Sequence, residues 1–197
     1  MEKMKEWKEI EKLLINVDMV NGFVKEGAMA DSYIQHIVPE HIKLMKHMQK
    51  EGEAIAIIKD THKNNCREFN RYPAHCVEGT EEAELIEELK PFEKDAFVYQ
   101  KNSTSTVYAP NFLGDIDKMI NLKEIIIIGC CTDICILNLA IPLQNYFDQK
   151  DREVKVIVPK NAVETYQGPN HKREEYNEMA FRFMVQAGIH LVENLEI

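Results

Sequence analysis

A chain of 197 residues, 45% hydrophobic and 29% charged, is long for one domain and short for two, and its composition excludes a disordered or collagen-like protein. Its 33 acidic residues against 24 basic ones leave a formal charge of −9, which repels phosphate backbones and anionic lipid, so neither nucleic acid nor membrane is expected as a partner. No apolar run approaches the roughly 20 residues that span a bilayer, residues 1–10 are too charged for a signal peptide, and five clustered cysteines suit reactive or incidental thiols better than a disulfide framework. The expectation is a single cytoplasmic domain over residues 1–197.

In chain order, 13–18 (LLINVD) reads as a buried strand that ends in a carboxylate, with Asn21-Gly22 as the following turn. Pro39 opens a helix in which Ile42, Met45 and Met48 recur at helical spacing until Gly52 stops it. A second strand, 54–59, again meets a carboxylate, Asp60. Residues 61–80 show no periodicity and form a loop long enough to be functional. An acidic short helix is expected at 81–90, a third strand at 96–101 and a short helix at 110–120. The segment 124–129 (EIIIIG), β-branched and apolar on both faces, has the character of a central parallel strand. Thr132 is expected to cap a very apolar helix running to about residue 149, kinked at Pro142. A fifth strand at 154–158, a helix at 172–187 with Tyr176, Met179, Ala180, Phe183 and Met184 on one face, and a sixth strand at 189–192 complete the chain. The alternation predicts an α/β fold of Rossmann type: three α/β/α layers around a six-stranded, mostly parallel sheet.

Such sheets bind ligands outside the carboxyl ends of their strands, and Asp18, Asp60, Lys101 and the segment 130–135 all fall at those ends. Neither G-x-G-x-x-G nor a Walker A run occurs, which leaves a dinucleotide or P-loop site without support. Cys135, in the first turn of the apolar helix, stands where unpaired backbone N–H groups and the helix dipole favour a thiolate. Alone it reads equally as a small buried hydrophobe. Asp18 and Lys101 at neighbouring strand ends add a carboxylate able to carry the thiol proton and an ammonium to hold the anionic pair. Asp60 and His62, two apart on an extended segment, can face one cation, and His75 returns from across the loop. One carboxylate and two imidazoles make a ligand set for Zn²⁺ or Fe²⁺ that leaves coordination positions open. Glu68 is either a fourth ligand or a solvated charge, with the solvated reading preferred, and Cys66 and Cys76 read as bystanders.

These residues also form ordered motifs. Asp18-Met19-Val20-Asn21-Gly22-Phe23 resembles the D-M-x-N-x-F opening of the isochorismatase-like cysteine hydrolases, Lys101 with Ser105 resembles their K-x-x-x-S segment, and 129–135 (GCCTDIC) resembles their G-x-x-T-D-x-C nucleophile turn. Asp60-x-His62 and Pro73-x-His75-Cys76-Val77-x-Gly79-Thr80 are similar to the metal-binding segments of the nicotinamidases within that superfamily. The resemblance implies a catalytic triad of Asp18, Lys101 and Cys135. It also implies a cis peptide between Cys130 and Cys131 that turns the N–H groups of Cys131 and Cys135 inward as an oxyanion hole. A divalent metal on Asp60, His62 and His75 is implied too, zinc first, with iron or manganese as alternatives, and Phe23 and Tyr72 are expected to pack on a substrate ring. The implied reaction deamidates a small carboxamide through a thioester, nicotinamide to nicotinate and ammonia as in NAD salvage, with a carbamoyl or ureido compound as the alternative substrate. From another class, a catalytically silent module could use the same pocket to bind a metabolite.

Three departures bear on the pocket rather than on bond breaking: Thr61 and Tyr72 stand where the family commonly carries Trp, and Val107 where nicotinamidases carry Phe. The helix 133–149, apolar almost all round, leaves two readings open: cover within one chain, or an interface in a homo-oligomer.

Overall fold

The apolar runs build a parallel sheet whose strands bury both faces. The strands are β1 (Lys12–Val17), β2 (Ala54–Asp60), β3 (Phe97–Lys101), β4 (Glu124–Cys130), β5 (Lys155–Pro159), the two-residue β6 (Val163–Glu164) and β7 (His190–Val192). The helices are α1 (Asn21–Val24), α2 (Val38–Lys50), α3 (Lys90–Glu93), α4 (Phe112–Lys118), α5 (Leu137–Gln149) and α6 (Arg173–Gln186). These come from a computed structural model that describes residues 6–197; residues 1–5 of the charged N-terminal stretch lie outside the described residues. The strand order is β3-β2-β1-β4-β5-β7, with β6 pairing to β4 beyond the end of β5, and every ladder is parallel. Six strands were expected; β6 is the addition, too short to carry a periodic signal.

Alternation along the strands sorts side chains between two cores. Ile15, Val17, Ile125 and Ile127 pack with Phe112, Leu139, Leu143 and Phe147, whereas Leu14, Ile57, Ile126 and Ile128 pack with Leu44, Met45 and Leu89 on the other face. The four buried residues of α5, Leu139, Ala140, Leu143 and Phe147, are therefore covered within the chain.

Three local expectations are corrected. Residues 81–90 are not a helix: after a single turn at Glu81–Ala83 the chain runs extended, Leu85 bridges to Val20 and the Ile86 N–H donates to the Met19 carbonyl at 3.1 Å. Burial of Ala83, Leu85, Ile86 and Leu89 outweighs the helical propensity of the intervening glutamates. Thr132 caps nothing; its Oγ1 has no hydrogen-bond partner, and residues Thr132–Ile136 make one π-helical turn before α5 begins. On α6 only Ala180 and Met184 are buried, while Met179 and Phe183 are 44% and 51% exposed.

One glycine is required. Gly129, at the end of β4, has φ +127°, and a Cβ there would fall on the Val17 carbonyl oxygen, so the close approach of β1 and β4 beneath the site depends on its missing side chain. A second tie lies deeper. His41 on α2 is fully buried, with Nδ1 2.8 Å from Asn16 Oδ1 on β1 and Nε2 2.9 Å from the Ala162 carbonyl, joining helix, sheet and the segment before β6.

Burial pushes the His41 imidazole down to about 4 from its ordinary 6.5, so the folded protein keeps it neutral while the unfolded chain takes up a proton below 6.5. This stability is complete above about 6.5 and is lost as pH falls towards 4. Substituting His41→Ala should cost about 2–4 kcal/mol at pH 7.5, with the gap to the parent narrowing at pH 5. Urea denaturation at the two pH values measures both, and an unchanged gap would contradict the neutral buried ring.

Candidate active site

Strand register brings the charged groups together. Asp60 and Lys101 are direct partners in the β2–β3 ladder, Val17 is partnered by Ile58 and Gly129, and Asp18 follows Val17 one residue beyond the end of β1. Asp18 takes a left-handed backbone, φ 54°, which aspartate tolerates better than most residues, and its N–H donates to the Ile58 carbonyl at 3.0 Å. Lys101 Nζ then lies 2.9 Å from Asp18 Oδ2, donates to Asp60 Oδ1 at 2.8 Å and reaches Cys135 Sγ at 3.8 Å. All four residues are buried. The structure thus brings together Asp18, Lys101 and Cys135 from three strand ends, and the Cys130–Cys131 peptide beside them is cis.

The two carboxylates are unequal. Burial pushes Asp18 up to about 6 against the opposing pull of Lys101, and neither of its oxygens makes a well-aligned hydrogen bond despite the close ion pair. Asp60 is equally buried, yet the Lys101 charge and hydrogen bonds from His62 and His75 hold it well below the usual carboxylate range. Lys101, penalised by burial, is held well above its ordinary value by the two aspartates. Burial raises the Cys135 thiol well above its ordinary value, opposed by Lys101 and reinforced by Asp18 and Asp60. This corrects the expectation of a resting thiolate. In the enclosed π-turn, desolvation and two nearby carboxylates outweigh whatever the helix end contributes.

Asp60, His62 and His75, the residues expected from the sequence to hold a metal, cluster with donor atoms all within 4.8 Å of one another, a group that could hold one. His62 Nε2 and His75 Nε2 lie 2.9 Å and 3.3 Å from Asp60 Oδ2. The other nitrogen of each ring is committed elsewhere: Nδ1 of His62 faces Asn102 Oδ1 at 3.2 Å and Nδ1 of His75 faces the Pro73 carbonyl at 2.8 Å. As the structure stands, each Nε2–H can donate to Asp60; a divalent cation would take the place of those protons, with the remaining proton of each ring on Nδ1 facing its acceptor, so the residues fit one. Cys66 Sγ lies 3.3 Å from the Nδ1 side of His62, away from the converging Nε2 atoms, and Cys76 has its carbonyl bonded to the His62 N–H and its own N–H bonded to Glu82. Neither cysteine belongs to the metal group.

A pocket opens onto this cluster. Phe23 and Tyr72 line it as expected, together with Cys131 and Cys135, and so do Met29, Ile134 and Tyr166, which carried no sequence signal. Tyr166 follows the short β6 and stacks on His171 at 3.9 Å between ring centroids; His171 stacks in turn on Tyr176 at 3.7 Å and bonds Asp133 through Nε2 at 2.8 Å. Glu68 is corrected: it is buried, lines the pocket, and accepts from Thr104 Oγ1 at 3.2 Å. Its seven-residue spacing from His75 was the available signal, since the one-turn helix Arg67–Asn70 folds it inward.

Comparison with known proteins agrees with this geometry. Nicotinamidase 1 of Arabidopsis thaliana is 32% identical over 143 residues, 64% of this chain, and the chain spans 57% of that relative's length. Among solved structures, the pyrazinamidase of Pyrococcus horikoshii in complex with zinc superposes with a TM-score of 0.73 at 25% identity, over 92% of this chain and 98% of that one. The N-carbamoylsarcosine amidase of Thermoplasma acidophilum, at 22% identity, shares the fold with a TM-score of 0.77 over 95% and 99% of the two chains. The Isochorismatase domain family matches residues 12–194, and the chain belongs to that family.

Proposed function

We propose that the protein is a cysteine amidohydrolase that hydrolyses a small, uncharged ring carboxamide, nicotinamide above others, to the acid and ammonia. One observation carries the reading: a buried ammonium, Lys101, within reach of both a carboxylate with free lone pairs, Asp18, and a thiol, Cys135. In the proposed mechanism Asp18 takes the Cys135 proton as the sulfur attacks the amide carbon. The oxyanion is held by the N–H groups of Cys131 and Cys135, and collapse expels ammonia with the proton returned by Asp18. Water deprotonated by Asp18 then cleaves the thioester and restores the thiol. Lys101 keeps the aspartate ionised until the proton moves and balances the negative charge that passes to sulfur.

Asp60, His62 and His75 would hold a divalent metal, zinc best suited to the nitrogen-rich set, with Glu68 near enough to the pocket to take part. When bound, the metal supplies a Lewis-acid anchor for a ring nitrogen. Phe23, Tyr72 and Tyr166 would flank that ring. The charge of the pocket favours a neutral amide over a ureido acid: no lysine or arginine is among its described lining residues, and Glu68 adds a further carboxylate. A carboxylate-bearing substrate would find no lysine or arginine among those lining residues to pair with. A silent binding module would not need the complete acid, amine and thiol set. Five free cysteines fit a reducing, cytoplasmic setting.

Purified protein mixed with nicotinamide should release ammonia, and Cys135→Ala should lower kcat by about 10³-fold or more. Activity that survives this substitution excludes the thioester route, and faster release from an N-carbamoyl acid than from nicotinamide favours the ureido alternative. Because Asp18 must start ionised, kcat/KM should fall with decreasing pH on a limb with an apparent pKa of about 6, as its raised value requires. A profile flat down to pH 4.5 removes Asp18 as the base. Elemental analysis should find bound metal in the parent protein and none after His62→Ala or His75→Ala; equal metal contents would remove these histidines as ligands.

A further inference from the structure

We propose that Ser105 is a positioning residue that sets Lys101 against Cys135 by occupying the helix carbonyl that Pro142 leaves free. Pro142 lies inside α5 and has no N–H, so the carbonyl of Asn138, four residues earlier, lacks its intrahelical donor. Ser105 is buried, and its hydroxyl donates to that carbonyl at 2.6 Å. A helix irregularity and a distant serine thus complete one another.

The location of this bond gives it consequence for the site. Residues 101–105 thread the metal side: the Lys101 carbonyl accepts from the Thr61 N–H at 2.8 Å, Asn102 Oδ1 accepts from the Lys63 N–H at 3.1 Å and faces His62, and Thr104 bonds Glu68. These contacts tie the segment to the loop after β2. Besides Lys101 itself, Ser105 is the residue of the segment whose side chain hydrogen-bonds to the nucleophile segment, among the described residues. Asn138 is three residues beyond Cys135 and Ser105 four beyond Lys101, so the bond joins the segment carrying the ammonium to the segment carrying the sulfur close to both. A carbonyl that an ordinary helix would have used internally serves here as the anchor between the two halves of the site.

The inference rests on the amidase reading, and four proteins test it: the parent, Ser105→Ala, Pro142→Ala and the double variant. Each is measured for urea midpoint, for kcat and KM by ammonia release, and for the iodoacetamide alkylation rate of Cys135 by peptide mass spectrometry. Ser105→Ala should lower the urea midpoint and reduce kcat by about ten- to a hundredfold with little change in KM, because the reacting groups lose registration rather than the substrate its pocket. Pro142→Ala should match the parent in kcat, since the carbonyl can accept both donors. In the double variant residue 142 supplies an N–H to Asn138, so the midpoint should recover while kcat stays low. A fifth protein, Ser105→Thr, keeps the hydroxyl and should restore the activity lost in Ser105→Ala. Recovery of kcat together with stability in the double variant would reduce Ser105 to a structural role, and full kcat in Ser105→Ala would overturn the proposal outright. If Ser105→Ala fails to fold, the double variant carries the comparison. If the parent hydrolyses no amide, the functional reading fails and alkylation decides alone: slower modification of Cys135 in both Ser105 variants supports the positioning role, and equal rates in all four proteins refute it.

Discussion

The arrangement depends on one buried ammonium. Lys101 lies at the end of β3 with no solvent to stabilise its charge, and two carboxylates, Asp60 on the neighbouring β2 and Asp18 just past the end of β1, supply that stabilisation at 2.8 Å and 2.9 Å. Withdrawing Lys101 leaves two buried carboxylates without their counter-charge, typically a loss of about 3–5 kcal/mol. A cluster of this kind is poor support for stability compared with an apolar core, which favours the proposed chemical role over a structural one.

The ammonium also divides the labour of the two aspartates. Asp60 has Lys101 on one oxygen and two imidazoles on the other, which hold it ionised, the state the proposed ligand role needs. Asp18 has Lys101 beside it and no imidazole in its described contacts, and burial brings it to about 6, the range the proposed proton transfer needs. The same residue type performs two tasks because its neighbours differ. Asn102 and Pro73 extend this logic outward by facing the Nδ1 side of each histidine, which turns Nε2 towards Asp60, where the proposed cation would sit.

Most of the architecture is legible in the chain itself. The runs 13–18, 54–59 and 124–129 are apolar on both faces, a pattern that only a parallel sheet covered by helices can bury, and each meets a functional residue at its carboxyl end. Legibility failed where burial overrode local preference. The glutamates of 81–90 suggested a helix, but Leu85 and Ile86 were drawn onto the second core. Met179 and Phe183 kept helical spacing with buried neighbours yet face outward, because spacing specifies a stripe and not its width.

What the sequence by itself determined is a set of candidate groups and their strand-end positions: Asp18, Asp60, His62, His75, Lys101 and Cys135 are singled out by residue type, by spacing and by the resemblance of their motifs to the family. Only the tertiary structure decided the opposite shifts of Asp18 and Asp60, the burial of Glu68, the wall supplied by Tyr166, and the bond from Ser105 to Asn138. Each of these is a relation between segments far apart in the chain, produced by desolvation and contact across the fold, and no local pattern encodes how deeply a group is buried or which distant carbonyl a hydroxyl will meet.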